Sequence, residues 1–219
     1  GWMLSGLELM PASGNIAANQ GEQSWQSSFS HDGEIVQPGY HRLYLDRYHA
    51  WVEQTAADRA SLYCITYTED TNASLIVNLG GYVATTTMTN AHASRTGSNQ
   101  ISGYFDTRGR LWGGPDRVRI FFVVETSKPI EGMEGWEDGQ DVQRIEVIAA
   151  SDSIVNRNQG MTYADAPSSG LMARFDMKAG EQLLVRCTIS YTSLDNAIDN
   201  LRKECNTWDF DLLRQQSQT

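Results

Sequence analysis

Between residues 40 and 190 the apolar positions fall in short runs rich in Val, Ile, Thr, Tyr or Phe, divided by polar and glycine-containing breaks. The runs cover residues 40–45, 50–55, 62–67, 75–79, 83–89, 100–105, 118–125, 143–150, 171–176 and 182–190. Alternation with a period of two sends successive side chains to opposite faces of a strand, so each run can lay one face on a core. A spacing of about ten to twenty residues favours antiparallel meanders over βαβ units, which need a helix between paired strands. The breaks Gly80-Gly81, Arg108-Gly109, Gly113-Gly114-Pro115 and Ala179-Gly180 supply positive φ or a fixed turn. The pattern predicts an all-β chain, a large antiparallel β-sandwich running from about Leu7 to Ser190.

After Ser193 the period changes. Leu194, Ala197, Ile198, Leu201 and Cys205 follow the rhythm of a helix face. Ser193 is a natural N-cap, Asp195 sits in the first turn, and Arg202 and Lys203 sit in the last, as the helix dipole favours. A second helix is expected to start near Asp209, with Phe210 and Leu213 apolar, and to dissolve in a polar tail over residues 214–219. This divides the chain into a sandwich over 1–192 and a helical segment over 193–219, read as a linker or the start of a following domain. A single helix lays only one face on the sandwich. Trp208, Phe210 or Leu213 is therefore expected to be exposed, or buried against a neighbouring copy.

Composition narrows the function. The 219 residues are 40% apolar and 10% aromatic, enough for a real core, and 17 Lys plus Arg stand against 27 Asp plus Glu, a net charge of -10. An acidic surface repels phosphate backbones, which argues against nucleic acid as a partner. The alternating Arg108, Arg110, Arg117 and Arg119 read as strand edges. No run of 18 apolar residues offers a membrane span. The three cysteines, Cys64, Cys187 and Cys205, have no metal-like spacing, and Cys64 and Cys187 lie in apolar runs where a thiol acts as a small hydrophobe.

Nucleophilic chemistry lacks a sequence basis, since there is no Gly-x-Ser-x-Gly elbow. His31-Asp32-Gly33-Glu34 groups an imidazole with two carboxylates but reads first as a solvated turn. His41 and His49 flank a strand, and His92 lies in a polar stretch over residues 90–100 with no acidic neighbour in sequence. Glu131, Glu134, Glu137, Asp138 and Asp141, interspersed with glycines, form an acidic loop of a composition that can hold calcium, though without the spacing of an EF-hand, and that solvated hairpin loops share. Six tryptophans are present, Trp2, Trp25, Trp51, Trp112, Trp136 and Trp208. Flat indole faces stack on sugar rings. Trp112, before Gly113-Gly114, and Trp136, in the acidic glycine loop, are the better placed for a ligand, whereas Trp51 reads as packing.

Several stretches together resemble glycoside hydrolase family 92, the calcium-dependent exo-acting α-mannosidases. Ser28-Phe29-Ser30-His31-Asp32-Gly33-Glu34 leading into Gln37-Pro38-Gly39-Tyr40 is similar to that family's serine-phenylalanine-serine-histidine segment and proline-glycine-tyrosine strand start. Ile101-Ser102-Gly103-Tyr104 and the strand ending in Ser127-Lys128-Pro129 match next. The most specific stretch runs from Ile189-Ser190-Tyr191-Thr192-Ser193-Leu194-Asp195-Asn196-Ala197 through Asn200-Leu201 and Glu204 to Trp208-Asp209-Phe210-Asp211. Gly1-Trp2 through Leu9-Met10-Pro11 looks like the glycine-rich segment before the family's leucine-methionine-proline strand, so the earlier part of the family's first domain is expected to be missing. Departures exist: Ser61 and Tyr63 stand for a glycine and a histidine, Cys64 and Thr68 for an arginine and a proline.

The resemblance implies a supersandwich-like N-terminal domain packed on an (α/α)6 catalytic barrel of the same protein, with the active site between them. It implies a mannose-containing glycan as ligand and a periplasmic, extracellular or cell-surface location. It places the acid, the base and the calcium ligands of an inverting mechanism in the barrel, so this chain alone is expected to be inactive, with no catalytic or metal residue of its own. Trp2, after the glycine-rich segment, is the sugar contact the resemblance implies, beside Trp112 and Trp136 picked out by their own positions. The alternative is a free-standing carbohydrate-binding or adhesive sandwich.

Overall fold

A computed structural model describes residues 7–83, 86–108, 117–142, 147–149 and 168–218. In chain order the strands are β1 (Glu8–Ser13), β2 (Ile35–Gln37), β3 (Tyr40–Leu45), β4 (Ala50–Ala56), β5 (Ala60–Tyr67), β6 (Thr71–Asn78), β7 (Tyr82–Val83) and β8 (Thr86–Arg95). There follow β9 (Gln100–Arg108), β10 (Arg117–Thr126), β11 (Gly132–Glu137), β12 (Gln140–Asp141), β13 (Val147–Ala149), β14 (Gly170–Met177) and β15 (Gln182–Ser190). Helix α1 (Glu22–Trp25) is one turn; α2 (Leu194–Glu204) and α3 (Phe210–Ser217) close the chain. All the strand pairs are antiparallel, in a five-stranded sheet ordered β1-β6-β14-β11-β12 and a larger sheet ordered β13-β8-β9-β10-β15-β5-β4-β3-β2, with β7 on β8. The expected two-sheet sandwich from Leu7 to Ser190 is the fold.

The two inner faces enclose one core. Leu75, Val77, Leu171, Ala173 and Phe175 meet Ile65, Tyr67, Phe105, Ile120, Phe122 and Val185 there. Alternation along β10 turns Ile120, Phe122 and Val124 inward and leaves Phe121 and Val123 on the outer face of the large sheet. On that outer face a second core forms, in which Ala60, Leu62 and Val123 meet Ala197, Leu201, Cys205 and Leu213 of the helical segment. Helix α2 crosses β15 and β10, and α3 crosses β4 and β5. Ser193 caps α2 by accepting from the Asn196 amide at 3.1 Å, and Asp209 caps α3 by accepting from Leu212 at 3.0 Å.

Three expectations need correction. Leu213 is 3% exposed, and Trp208 and Phe210 are half-buried on the sandwich, because the bend at Cys205–Asp209 lets α3 return to the sheet. The Arg186 guanidinium lies 4.3 Å from the Trp208 ring, and Phe210 packs edge-on to Tyr40 at 6.3 Å. The polar tail is helical as far as Ser217, and it touches the sandwich where Gly39, at φ +69°, leaves no room for a Cβ beside Ser217. The acidic loop is mostly a hairpin of β11 and β12, turned on Asp138 (φ 48°) and Gly139 (φ 79°), the pair of positive φ values that a two-residue turn of type I′ requires.

The three thiols are free and buried. Burial pushes Cys187 up to about 12 and Cys64 and Cys205 up to about 11, so they stay protonated and unreactive at neutral pH.

Candidate functional site

Among the described residues, those singled out in sequence do not converge on one site. Trp2 and Trp112 lie outside the described residues. Trp136 is 2% exposed, donates from Nε1 to the Ser168 Oγ at 2.9 Å and lies against Gly170. It borders a cleft of about 390 Å³ between residues 16–19 and the β11–β12 hairpin, shared with Asn19, Glu134 and Asp141. At 2% exposure its ring leaves little surface on which a sugar could stack. The carboxylates of the hairpin are dispersed: Glu134 pairs with Arg174 at 3.0 Å, while Glu131 precedes the strand.

His31-Asp32-Gly33 forms one 3-10 turn capped by Ser30, which accepts from the Asp32 amide at 3.2 Å. Glu34 then bridges two imidazoles, His31 Nδ1 at 2.5 Å and His41 Nε2 at 2.9 Å. Those hydrogen bonds, that of His41 first, hold the Glu34 carboxyl below the usual range. The arrangement ties the turn to β3, beside the edge strand β2. His49 adopts a left-handed conformation at φ 48° and sits beside Tyr44 and Thr68.

A site that sequence reading missed lies on the outer face of β8, β9 and β10, at the end away from the 96–99 turn. Asp106, 1% exposed, accepts from Arg119 Nε at 2.8 Å, from Arg117 Nε at 2.7 Å and from Asn90 Nδ2 at 2.8 Å. Burial works against its charge, but the hydrogen bonds of Arg119, Asn90 and Arg117 outweigh it and hold the carboxyl below the usual range. Arg119 also lies over the Tyr104 ring at 4.2 Å, and Tyr104 stacks on His92 with centroids 5.9 Å apart. Local irregularity builds this cluster: Asn90 has φ 47°, and the register slips between Thr89 and His92. The alternating arginines were visible in sequence. The bulge that brings Asn90 onto Asp106 and His92 opposite Tyr104 was not.

Under α2, Arg186 joins the sandwich to the helices. It grips Glu125 through Nε at 2.9 Å and Nη2 at 2.6 Å, and donates from Nη1 to the Cys205 carbonyl at 2.9 Å. A cleft of about 230 Å³ opens here between Gln100, Ile198, Arg202 and Asn206.

Two unequal antiparallel sheets with helices on the outer face of the larger one define a β-sandwich domain. The chain belongs to glycosyl hydrolase family 92: the model of that family's N-terminal domain matches residues 1–190. The fold is similar to a family GH92 alpha-mannosidase from Bacteroides thetaiotaomicron, at 25% identity and a TM-score of 0.77, covering 98% of this chain and 28% of that one. It is also similar to a family GH92 inverting mannosidase from the same organism, at 17% identity and a TM-score of 0.74, over 96% of this chain and 25% of that one. The latter likeness shows the fold alone. This chain thus spans little more than a quarter of the length of the mannosidase structures it matches. No curated protein sequence matches it significantly.

Proposed function

We propose that this chain is the non-catalytic N-terminal sandwich of a calcium-dependent, inverting exo-α-mannosidase, and that it completes the substrate site where it meets a helical catalytic barrel of the same protein. The observation that carries the reading is the family match over residues 1–190 together with a shared fold covering 98% of this chain and only 28% of a mannosidase. The same Bacteroides thetaiotaomicron enzyme has been solved with mannoimidazole, which supports a mannosyl glycan as the ligand of the whole protein. In this reading residues 193–219 lead toward the barrel, and Trp2 and Trp112 reach the sugar. With this reading goes a periplasmic, extracellular or cell-surface location, as the family resemblance implies.

Inversion uses an acid and a base far enough apart to admit a water between them and the sugar. Among the described residues no three His, Cys, Asp or Glu side chains converge as a metal site, and Glu134 is committed to Arg174. In this reading calcium is held by the catalytic barrel. The test is direct. The purified chain, incubated with an aryl α-mannoside with and without calcium, is expected to show no turnover. Turnover that survives repurification and vanishes when one of this chain's acidic residues is replaced refutes the proposal.

A further inference from the structure

Arg42 is anchored without being paired. Its guanidinium lies over the Trp51 ring, 4.6 Å from the centroid, and its Nε is buried. Among the described residues it makes no hydrogen bond and no ion pair, although Glu53 stands opposite it in the β3–β4 register. Buried donors are met in nearly all folded proteins, so a half-buried guanidinium that the chain leaves unanswered asks for a partner. Glu53 is open in the same way. Its Oε1 accepts from the Tyr40 hydroxyl at 2.6 Å, and among the described residues Oε2 accepts nothing.

Both groups are held in place from behind. Tyr40, 5% exposed, packs on the edge of Phe210 and lies under the Arg214 guanidinium, 3.6 Å from its ring, so its hydroxyl fixes the Glu53 carboxylate. Burial first and the Glu53 hydrogen bond next push the Tyr40 hydroxyl up to about 12, while Arg214 and Arg42 pull it down, which puts both guanidiniums near the pair. Trp51 has Tyr44 against it at 5.0 Å and Gly33 at its rim, where a Cβ would come within 3.2 Å of the ring. The patch lies on the outer face of β3 and β4, between α3 and the turn at residues 31–33. Arg42, Tyr44, Trp51 and Glu53 are all half-buried there.

A donor fork and a carboxylate oxygen side by side, neither satisfied by the other, match a ligand that both accepts and donates. Hydroxyls on neighbouring ring carbons do this, whereas an anion would gain from Arg42 and be repelled by Glu53. We propose that Arg42, Glu53 and Trp51 form a binding site for a neutral saccharide, in which one sugar oxygen accepts from Arg42 and the adjacent hydroxyl donates to Glu53 Oε2. The sugar's C–H groups lie along the open part of Trp51 and Tyr44. The choice of a mannosyl unit as occupant rests on the function proposed above; the site itself rests on the unanswered donor and acceptor.

Calorimetric and tryptophan-fluorescence titrations of the chain with an α-mannan oligosaccharide, a cello-oligosaccharide and a uronate oligosaccharide test this. The expected result is binding of the mannan oligosaccharide at millimolar concentration with a change in fluorescence. Arg42→Lys and Glu53→Gln should each weaken it at least tenfold, and Trp51→Phe should remove the fluorescence change. Lysine keeps the charge but loses the fork, and glutamine keeps the shape but loses the charge, so an unchanged circular dichroism spectrum is expected of both. Neutral oligosaccharides that do not bind at millimolar concentration, or that bind equally to the two variants, overturn the proposal. A uronate oligosaccharide that binds more tightly than the neutral ones overturns the neutral class and the part given to Glu53. Binding of the cello-oligosaccharide with the mannan oligosaccharide inert supports the site and removes its link to a mannosyl glycan. None of these failures touches the mannosidase-domain reading, whose own test is hydrolysis.

Discussion

Gly103 offers the sharpest check on how β8 and β9 are built. A Cβ at this position would stand 2.7 Å from the Ala93 Cα and 2.9 Å from the His92 carbonyl carbon, and closer still to the carbonyl oxygen. Ordinary contact begins near 3.4 Å, and the obstructing atoms are backbone, so β8 would have to withdraw by well over half an ångström at the point where the register already slips between Thr89 and His92. Overpacking of this kind costs about 1–3 kcal/mol or more, and each strand-to-strand hydrogen bond weakened adds about 1 kcal/mol. Gly103→Ala should therefore cost about 3–5 kcal/mol. For a domain of this size each kcal/mol lowers Tm by about 2–4 °C, so the expected fall is about 6–20 °C. Gly97, in the turn of the same hairpin, is the control: its φ is ordinary and a Cβ there meets only Gln100, at 3.4 Å. Gly97→Ala should change stability by less than about 0.5 kcal/mol. Thermal and urea unfolding of both variants provide the comparison. If Gly103→Ala melts within 2 °C of the parent, or if the two substitutions cost the same, the close approach of the strands is not what fixes glycine at 103.

Other perturbations have distinct signatures. Leu213→Ala opens a cavity worth about 2–5 kcal/mol in a fixed core, but α3 is a terminal helix and can undock instead. Its amides should then exchange rapidly while those of β10 and β15 stay protected, and uniform loss of protection would contradict the separate second core. Arg186→Lys loses the fork to Glu125 and the contact with Trp208, so it should destabilise by about 2 kcal/mol and shift the Trp208 fluorescence, with no shift if Trp208 is held by α2 alone. Burial raises the Glu8 carboxyl above the usual range, against the Asn78 hydrogen bond at 2.7 Å. An acid with a raised folded pKa binds its proton more tightly when folded, so this contribution is full below the unfolded pKa and fades as pH rises through the folded one. Glu8→Gln should thus gain on the parent between pH 4 and pH 7 in urea titrations, and a gap that narrows over that range would show the sign to be wrong.

The fold was legible because it rests on alternation. Residues 40–45 were read as a strand end to end, and Ser193 was read as the cap it is, since strand period, helix period and capping are local signals. The β11–β12 hairpin was not, because Glu134 and Glu137 made a strand look like a solvated loop. Its Asp138-Gly139 turn was the overlooked signal. The packing of α3 escaped because an apolar helix says that it needs a partner without saying which. Least visible was the Asp106 cluster. It depends on a bulge at Thr89 and His92, and no sequence pattern announces which strand neighbours will share a carboxylate.

The strand order has a consequence for the making of this protein. β15, the last strand, lies between β10 and β5 in the middle of the large sheet, and β14, the one before it, lies between β6 and β11 in the small one. During synthesis the two meanders β2–β5 and β8–β10 can form as they emerge, but each ends in an open edge with no neighbour to pair with. Neither sheet can be completed until the segment through Ser190 has left the ribosome. At about 5–20 residues per second, the nascent chain carries several hungry strand edges for seconds before the final two strands zip both sheets shut. The interval before that last closure is when chaperones have most to do, and mutations that delay β14 or β15 should lower yield more than they lower the stability of the molecules that succeed.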